Sequence, residues 1–203
     1  MFAFIIKFIT TIGYKGIFLL MVLESALIPI PSEVTMPFAG FLVSQGTLLF
    51  IGVVIAGALG NVAGSLIGYY LGFWLGEKRV LRLIERYGKF ILLSTDDYKK
   101  SSTWFQRYGG GVVFFSRLLP GVRTFISLPV GVFKMPIVKF SLYTFIGSLI
   151  WSVVLTGIGF YLGANWDAIG PVFSKLHYIL IALLLILIGY YVYYKHTKKK
   201  QHS

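Results

Sequence analysis

Four charged residues lie inside sequence that otherwise reads as membrane interior: Glu24 and Glu33 in one stretch, Arg117 and Arg123 in another. A charge at mid-bilayer costs roughly 2.5–3.5 kcal/mol on insertion scales, so such residues pair with one another or mark a functional path. The residue types suggest two chemistries. Arginine offers a planar fork of donors suited to phosphate and holds its charge across the working pH range. A carboxyl group in low dielectric favours its neutral form, so a buried glutamate is suited to take up and release a proton. The expected roles are therefore phosphate binding at Arg117 and Arg123 and proton coupling or gating at Glu24 and Glu33. A plainer alternative stays open, in which the four only hold their segments together as ion pairs. Glu33, following Pro31-Ser32, could also serve as a helix cap.

The segments carrying these charges are broken. Glu24-Ser-Ala-Leu-Ile-Pro-Ile-Pro-Ser-Glu33 contains Pro29 and Pro31, and the second stretch contains Pro120, Gly121, Pro129 and Gly131. Proline removes a backbone donor and interrupts a helix. Irregular backbone at membrane depth is tolerated only where protein surrounds it or it lines a wet cavity. The expectation is two re-entrant hairpins, over 25–46 and 112–135, with breaks at Pro29, Pro31, Pro120 and Gly121. Spans are expected over 2–23, 47–76, 136–163 and 175–194, followed by a basic tail over 195–203. The first is too long for a signal-peptide core and no small-residue cleavage site follows it, so it is expected to be retained. Residues 77–111 read as a cytoplasmic amphipathic helical segment, with Val80, Ile84, Tyr87 and Ile91 at helical spacing. Within it Thr95-Asp96-Asp97 resembles a helix start and Gly109-Gly110-Gly111 a stop. Asn61 and Ser65, one turn apart, and Ser116 are candidates to line the cavity. For Asn61 and Ser65, helix–helix hydrogen bonding is the alternative.

Composition supports this architecture. Of 203 residues 57% are hydrophobic, which points to a single-domain, all-α integral membrane protein. The net charge of +12 is concentrated in 77–111 and in the tail, both flanking apolar segments. That is the pattern of cytoplasmic loops facing anionic membrane lipids, and it argues against nucleic acid as a partner. The N- and C-termini are both expected to be cytoplasmic, provided that 25–46 is re-entrant. There is no cysteine, and His177, His196 and His202 have no metal-ligand spacing. With no nucleophile–base pair and no nucleotide fingerprint, neither an enzyme nor a cofactor is expected.

The chain also matches itself. A shift of 91 residues brings Ser25 onto Ser116, Pro29 onto Pro120 and Gly40 onto Gly131, and Gly68-Tyr-Tyr-Leu-Gly72 onto Gly159-Phe-Tyr-Leu-Gly163. Each copy reads as a broken hairpin followed by a glycine-ended span, and the two hairpins are expected to enter from opposite sides. Such an inverted repeat brings its hairpins together near the midplane, as in many secondary transporters.

Three stretches carry a resemblance to a known family: Glu24 through Gly40, Gly60 through Gly76, and Phe114 through Gly147. In their order they resemble the DedA family, also called the VTT-domain or SNARE-associated Golgi protein family. The resemblance implies a small bacterial cytoplasmic-membrane protein with two re-entrant hairpins that translocates lipid. The Pro-Ile-Pro-Ser-Glu version looks like the branch that returns undecaprenyl phosphate across the membrane. It also implies functional roles at Glu24, Glu33, Arg117 and Arg123. Family members often carry an Asp near the position held here by Asn61, which puts a proton relay at that site in doubt. The partners implied are a polyprenyl phosphate lipid and protons, with a homo-oligomer left open. A proton- or cation-coupled small-solute antiporter and a non-transporting assembly factor remain the alternatives.

Overall fold

The structure, a computed structural model, describes residues 2–26, 28, 30–91, 95–119 and 122–163. Among them all regular structure is helical: α1 (Phe2–Ile12), α2 (Tyr14–Ser25), α3 (Ser32–Ser44), α4 (Phe50–Ile91), α5 (Thr95–Ser116), α6 (Val122–Phe125), α7 (Ser127–Val132) and α8 (Ile137–Leu162). The span expected over 175–194 and the basic tail lie outside the described residues, as do Pro29, Pro120 and Gly121.

Two of these helices, α4 and α8, are long and apolar enough to cross a membrane. At about 1.5 Å per residue, α8 exceeds the roughly 30 Å of a hydrocarbon core. Their burial is inside-out relative to a soluble protein. On α8, Thr144, Ser148, Ser152 and Thr156 are buried, whereas Leu142, Ile146, Ile150 and Val153 are exposed. On α4, Asn61 and Ser65 are buried while Ile51, Leu59, Ile67 and Leu71 face outward. Water as solvent would reverse this arrangement. Lipid removes the drive to hide leucine and favours sheltering every polar group inside the bundle.

Elsewhere the elements depart from the sequence expectation for identifiable reasons. The span expected over 2–23 folds as two helices of 11 and 12 residues. The break is at Gly13, whose φ of 62° and ψ of −133° suit only glycine. Gly16 thereby comes against the Phe8 carbonyl, and neither helix has the length to cross a bilayer upright. Helix α4 kinks at Gly76 (φ 68°, ψ 160°), where its apolar part gives way to the basic segment. Beyond the kink, Ile84 and Val80 pack with Tyr98 of α5 and Val132 of α7. Helix α5 does not stop at Gly109-Gly110-Gly111 but runs on to Ser116. Glycine costs about 1 kcal/mol in a helix interior, and here the missing side chains allow close contact. A Cβ at Gly110 would come within 2.7 Å of the Tyr143 ring on α8. The second broken segment therefore begins after Ser116 rather than at 112.

The two short legs are packed reciprocally. Helix α3 lies on α8, and α7 lies on α4. Gly40 faces the Thr156 carbonyl and Gly159 faces that of Pro37; Gly131 faces the Tyr69 carbonyl and Gly72 faces that of Leu128. A Cβ at any of these four would sit on a backbone oxygen, so the close approach excludes every larger residue. On the legs, Pro37 and Leu128 are 91 residues apart, as are Gly40 and Gly131. On the spans, Tyr69 and Thr156 are 87 apart, as are Gly72 and Gly159. The single 91-residue shift thus fails over the spans by one helical turn. The spatially equivalent runs are Gly72-Phe-Trp-Leu-Gly76 and Gly159-Phe-Tyr-Leu-Gly163, and Gly76 and Gly163 both have positive φ.

Candidate functional site

Both helix breaks open onto the same interior point. Glu24 sits in the last turn of α2 and Ser32 begins α3, so residues 26–31 separate them only along the chain. Pro31 is the N-cap residue of α3 and, having no N–H, cannot continue a helix upstream. The Ser32 backbone N–H donates to Glu24 Oε1 at 3.2 Å, which ties the end of one helix to the start of the next. Ser25 Oγ donates to Asn61 Oδ1 at 2.7 Å and fixes this turn to α4. Across the site, Arg117 follows the end of α5 and Arg123 lies in α6, with exposures of only 1% and 3%.

The two guanidinium groups are held differently. Arg123 forms an ion pair with Glu24 Oε1 and a hydrogen bond to Ser32 Oγ. Its guanidinium also lies 6.0 Å from the centre of the Trp151 ring. Among the described residues Arg117 touches only neutral acceptors. Its Nη1 donates to Ser65 Oγ at 2.9 Å and to the Arg123 carbonyl at 2.7 Å, and its Nη2 donates to Ser127 Oγ at 3.1 Å. Gly147 of α8 provides the room for this side chain, since a Cβ there would come within 2.7 Å of Arg117 Cβ. Among the described residues, Arg117 Nε, Glu24 Oε2 and Asn61 Nδ2 are buried with no hydrogen-bond partner. Among the described residues, one buried cation is therefore neutralised and the other is not.

Of the residues singled out from sequence, Glu24, Arg117, Arg123, Asn61 and Ser65 come together in this cluster. Glu33, half-buried in the first turn of α3, pairs with neither arginine. A carboxylate there is favoured by the N-terminal end of the helix dipole. Ser116 is buried but donates to the Val113 carbonyl of its own helix at 2.7 Å rather than to the cluster. Pro29, Pro120 and Gly121 lie outside the described residues. No group of three or more metal-binding side chains occurs among the described residues.

Sequence reasoning passed over Ser32, Ser127 and Trp151, and with them the hydroxyl stripe on α8. The hydroxyls of Thr144, Ser152 and Thr156 and the Trp151 indole N–H are buried without partners among the described residues. The four-residue spacing of Thr144, Ser148, Ser152 and Thr156 inside an apolar segment was the available signal. It marks one polar face on a helix whose other faces meet lipid.

The VTT domain family matches residues 30–161, which span both legs, α4 and all but the last residue of α8. "Uncharacterized membrane protein YkoX" of Bacillus subtilis is 40% identical over 193 residues, covering 95% of this chain and 84% of that protein. "Alkaline phosphatase-like protein" of Lactococcus lactis subsp. cremoris is 36% identical over 205 residues, covering 98% and 96%. "Undecaprenyl phosphate transporter A" of Bacillus subtilis is 34% identical over 194 residues, covering 95% and 94%. No solved structure matches the chain. With most of its length matched by these bacterial relatives, the chain belongs to the VTT-domain, or DedA, family.

Proposed function

We propose that this protein is a carrier that moves a polyprenyl phosphate, undecaprenyl phosphate or a close relative, between the leaflets of a bacterial cytoplasmic membrane. The observation that carries the reading is the asymmetry between the arginines among the described residues: Arg123 is neutralised by Glu24, while Arg117 is buried among neutral acceptors and its Nε has no partner there. A buried charge without a counter-ion costs several kcal/mol. A phosphate head reaching Arg117 supplies the missing charge and accepts charge-assisted hydrogen bonds from the guanidinium fork. Protonation of Glu24 weakens its hold on Arg123 and frees a second guanidinium for the phosphate, which couples a proton to the substrate. Glu33, one residue beyond Ser32, serves as a gating carboxylate at the same break. Asn61 and Ser65 line the path. The isoprenoid tail stays in the bilayer and only the head crosses. The similarity to a protein named for undecaprenyl phosphate transport supports the substrate class.

An inverted repeat of re-entrant hairpin plus span underlies this mechanism. The reciprocal packing of α3 on α8 and α7 on α4 supports it. So does the bond between Ser32 and Arg123, which are 91 residues apart and therefore equivalent positions on the legs. Equivalent residues touch one another where they lie on a two-fold axis. The legs, 13 residues in α3 and the stretch Val122–Val132 in the other half, are too short to cross a bilayer, as a re-entrant segment requires. The basic segment after Gly76 faces the cytoplasm in this arrangement, together with both termini.

Proteoliposomes containing a short-chain polyprenyl phosphate provide the test, run with and without an imposed pH gradient. Wild type is expected to translocate the lipid, Arg117→Ala to lose translocation, and Glu24→Gln to lose its response to the gradient. Wild-type vesicles that flip no faster than protein-free ones, with the protein folded, refute the carrier. Inorganic phosphate released in the same vesicles would instead favour hydrolysis, the activity suggested by the Lactococcus lactis relative's name.

A further inference from the structure

A cleft of about 990 Å³ opens between α5, the turn after α7 and the start of α8. Val112, Phe115, Leu119 and Val122 form an apolar part of its lining, and the lining residues Ser116 and Val122 are chain neighbours of Arg117 and Arg123. The lining also includes Arg107, Lys134 and Lys139, and none of the lining residues is acidic. All three cations are exposed, and among the described residues none forms an ion pair.

Lys134 carries a second, independent signal. With φ at 55° it is the only non-glycine residue with positive φ among the described residues. It ends α7 through two backbone bonds: its N–H donates to the Gly131 carbonyl at 3.0 Å and the Met135 N–H donates to that of Val130 at 3.3 Å. Helix α3 ends the same way, with the Gly46 N–H donating to Val43 at 3.0 Å and the Thr47 N–H to Leu42 at 3.0 Å. The first half places glycine at this left-handed position (φ 72°), as helix ends of this kind usually do. The second half places a lysine there, against its backbone preference, in the lining of a cationic cleft. Strain of this sort concentrates where a side chain is used.

We propose that this cleft is a loading site for a phosphate-monoester lipid, with Lys134 and Lys139 holding the head and the Val112–Phe115–Leu119–Val122 wall taking the first isoprene units. The inference rests on the phosphate-lipid reading of the buried site and adds a subsite where the head waits before reaching Arg117. Charge selects the occupant. A monoester carries about −1.5 to −2 at neutral pH, which suits three clustered cations better than the single charge of a diester lipid.

The test uses the full chain in zwitterionic nanodiscs and, as probe, farnesyl phosphate with a diazirine on its isoprenoid chain. Crosslinks are expected within residues 104–143, with saturation weakened about tenfold in Lys134→Gly/Lys139→Gln. Glycine fits the left-handed position, so this variant is expected to stay folded. Arg117→Ala is expected to keep the cleft crosslinks. Three outcomes overturn the proposal: labelling indifferent to the lysines, labelling equal with a diazirine farnesol, or equal displacement by phosphatidylglycerol. Translocation by the same variants reports separately on the carrier. If Arg117→Ala still flips lipid, the carrier mechanism fails while lysine-dependent labelling stands.

Discussion

The two halves of this molecule share a frame and divide the chemistry. In the first, α2 breaks into α3 and leads to the long α4; in the second, α5 breaks into α6 and α7 and leads to α8. Each leg crosses to the other half's span and meets it through a pair of glycines at equivalent positions. Each leg ends in the same backbone motif, and each long helix has a glycine of positive φ at the end of its apolar part. Yet among the described residues the buried carboxylate comes from the first half and both buried arginines from the second. Packing geometry tolerates only small residues at the crossing points, so both halves keep glycine there. Charge has to be complementary rather than duplicated, so there the halves differ.

The largest expected effect comes from breaking the ion pair that, among the described residues, joins the halves. Glu24→Ala leaves Arg123 buried without its counter-ion and is expected to destabilise the protein by about 3–5 kcal/mol. Adding Arg123→Met should recover most of that loss, and thermal unfolding in detergent measures both. If the double variant is as unstable as the single, the pair does not couple the halves. Arg117 should behave oppositely. Its replacement by Met removes an uncompensated charge as well as three hydrogen bonds, so stability should change by less than about 1 kcal/mol. Translocation should nevertheless fall about 100-fold, a separation of function from stability that Glu24→Ala cannot show.

These contrasts also mark what was legible in the sequence. Charges and prolines in apolar surroundings stand out at once, so the burial of Glu24, Arg117 and Arg123 and the helix ends beside them are legible from the sequence. Their partners are not, because Ser32, Ser127 and Trp151 owe their positions to tertiary packing. The break at Gly13 was missed because apolar continuity over 2–23 is insensitive to one residue's φ. Gly109-Gly110-Gly111 resembles a stop because local propensity says nothing of Tyr143, which lies against Gly110 on another helix. A gapless 91-residue shift matches the leg contacts but not the span contacts, which are 87 residues apart, so it leaves the spans one turn out of register.

The shared frame can be tested at intermediate cost. Gly40→Ala and Gly131→Ala each drive a methyl group into a backbone carbonyl of the opposite span. Each should destabilise by about 1–3 kcal/mol, with the two values close to one another. A large loss at one and none at the other would mean that only one crossing is as tight as the geometry implies.

The smallest effect gives the finest comparison, because it concerns a single backbone position that the halves occupy differently. Gly46 and Lys134 end their legs with the same two hydrogen bonds, and a Cβ at Gly46 would meet nothing within 4 Å. At Gly46 packing therefore adds nothing and backbone preference remains. Gly46→Lys is expected to lower stability by about 1 kcal/mol, and Lys134→Gly to raise it by a similar amount. Unfolding midpoints of the two variants measure the pair directly. If Lys134→Gly gives no gain, the left-handed position costs nothing and the lysine needs no functional reason. If it gains stability while translocation of polyprenyl phosphate slows, the second half retains a strained residue that its counterpart in the first half does without. The difference between otherwise matched helix ends would then be assigned to the lipid head rather than to the fold.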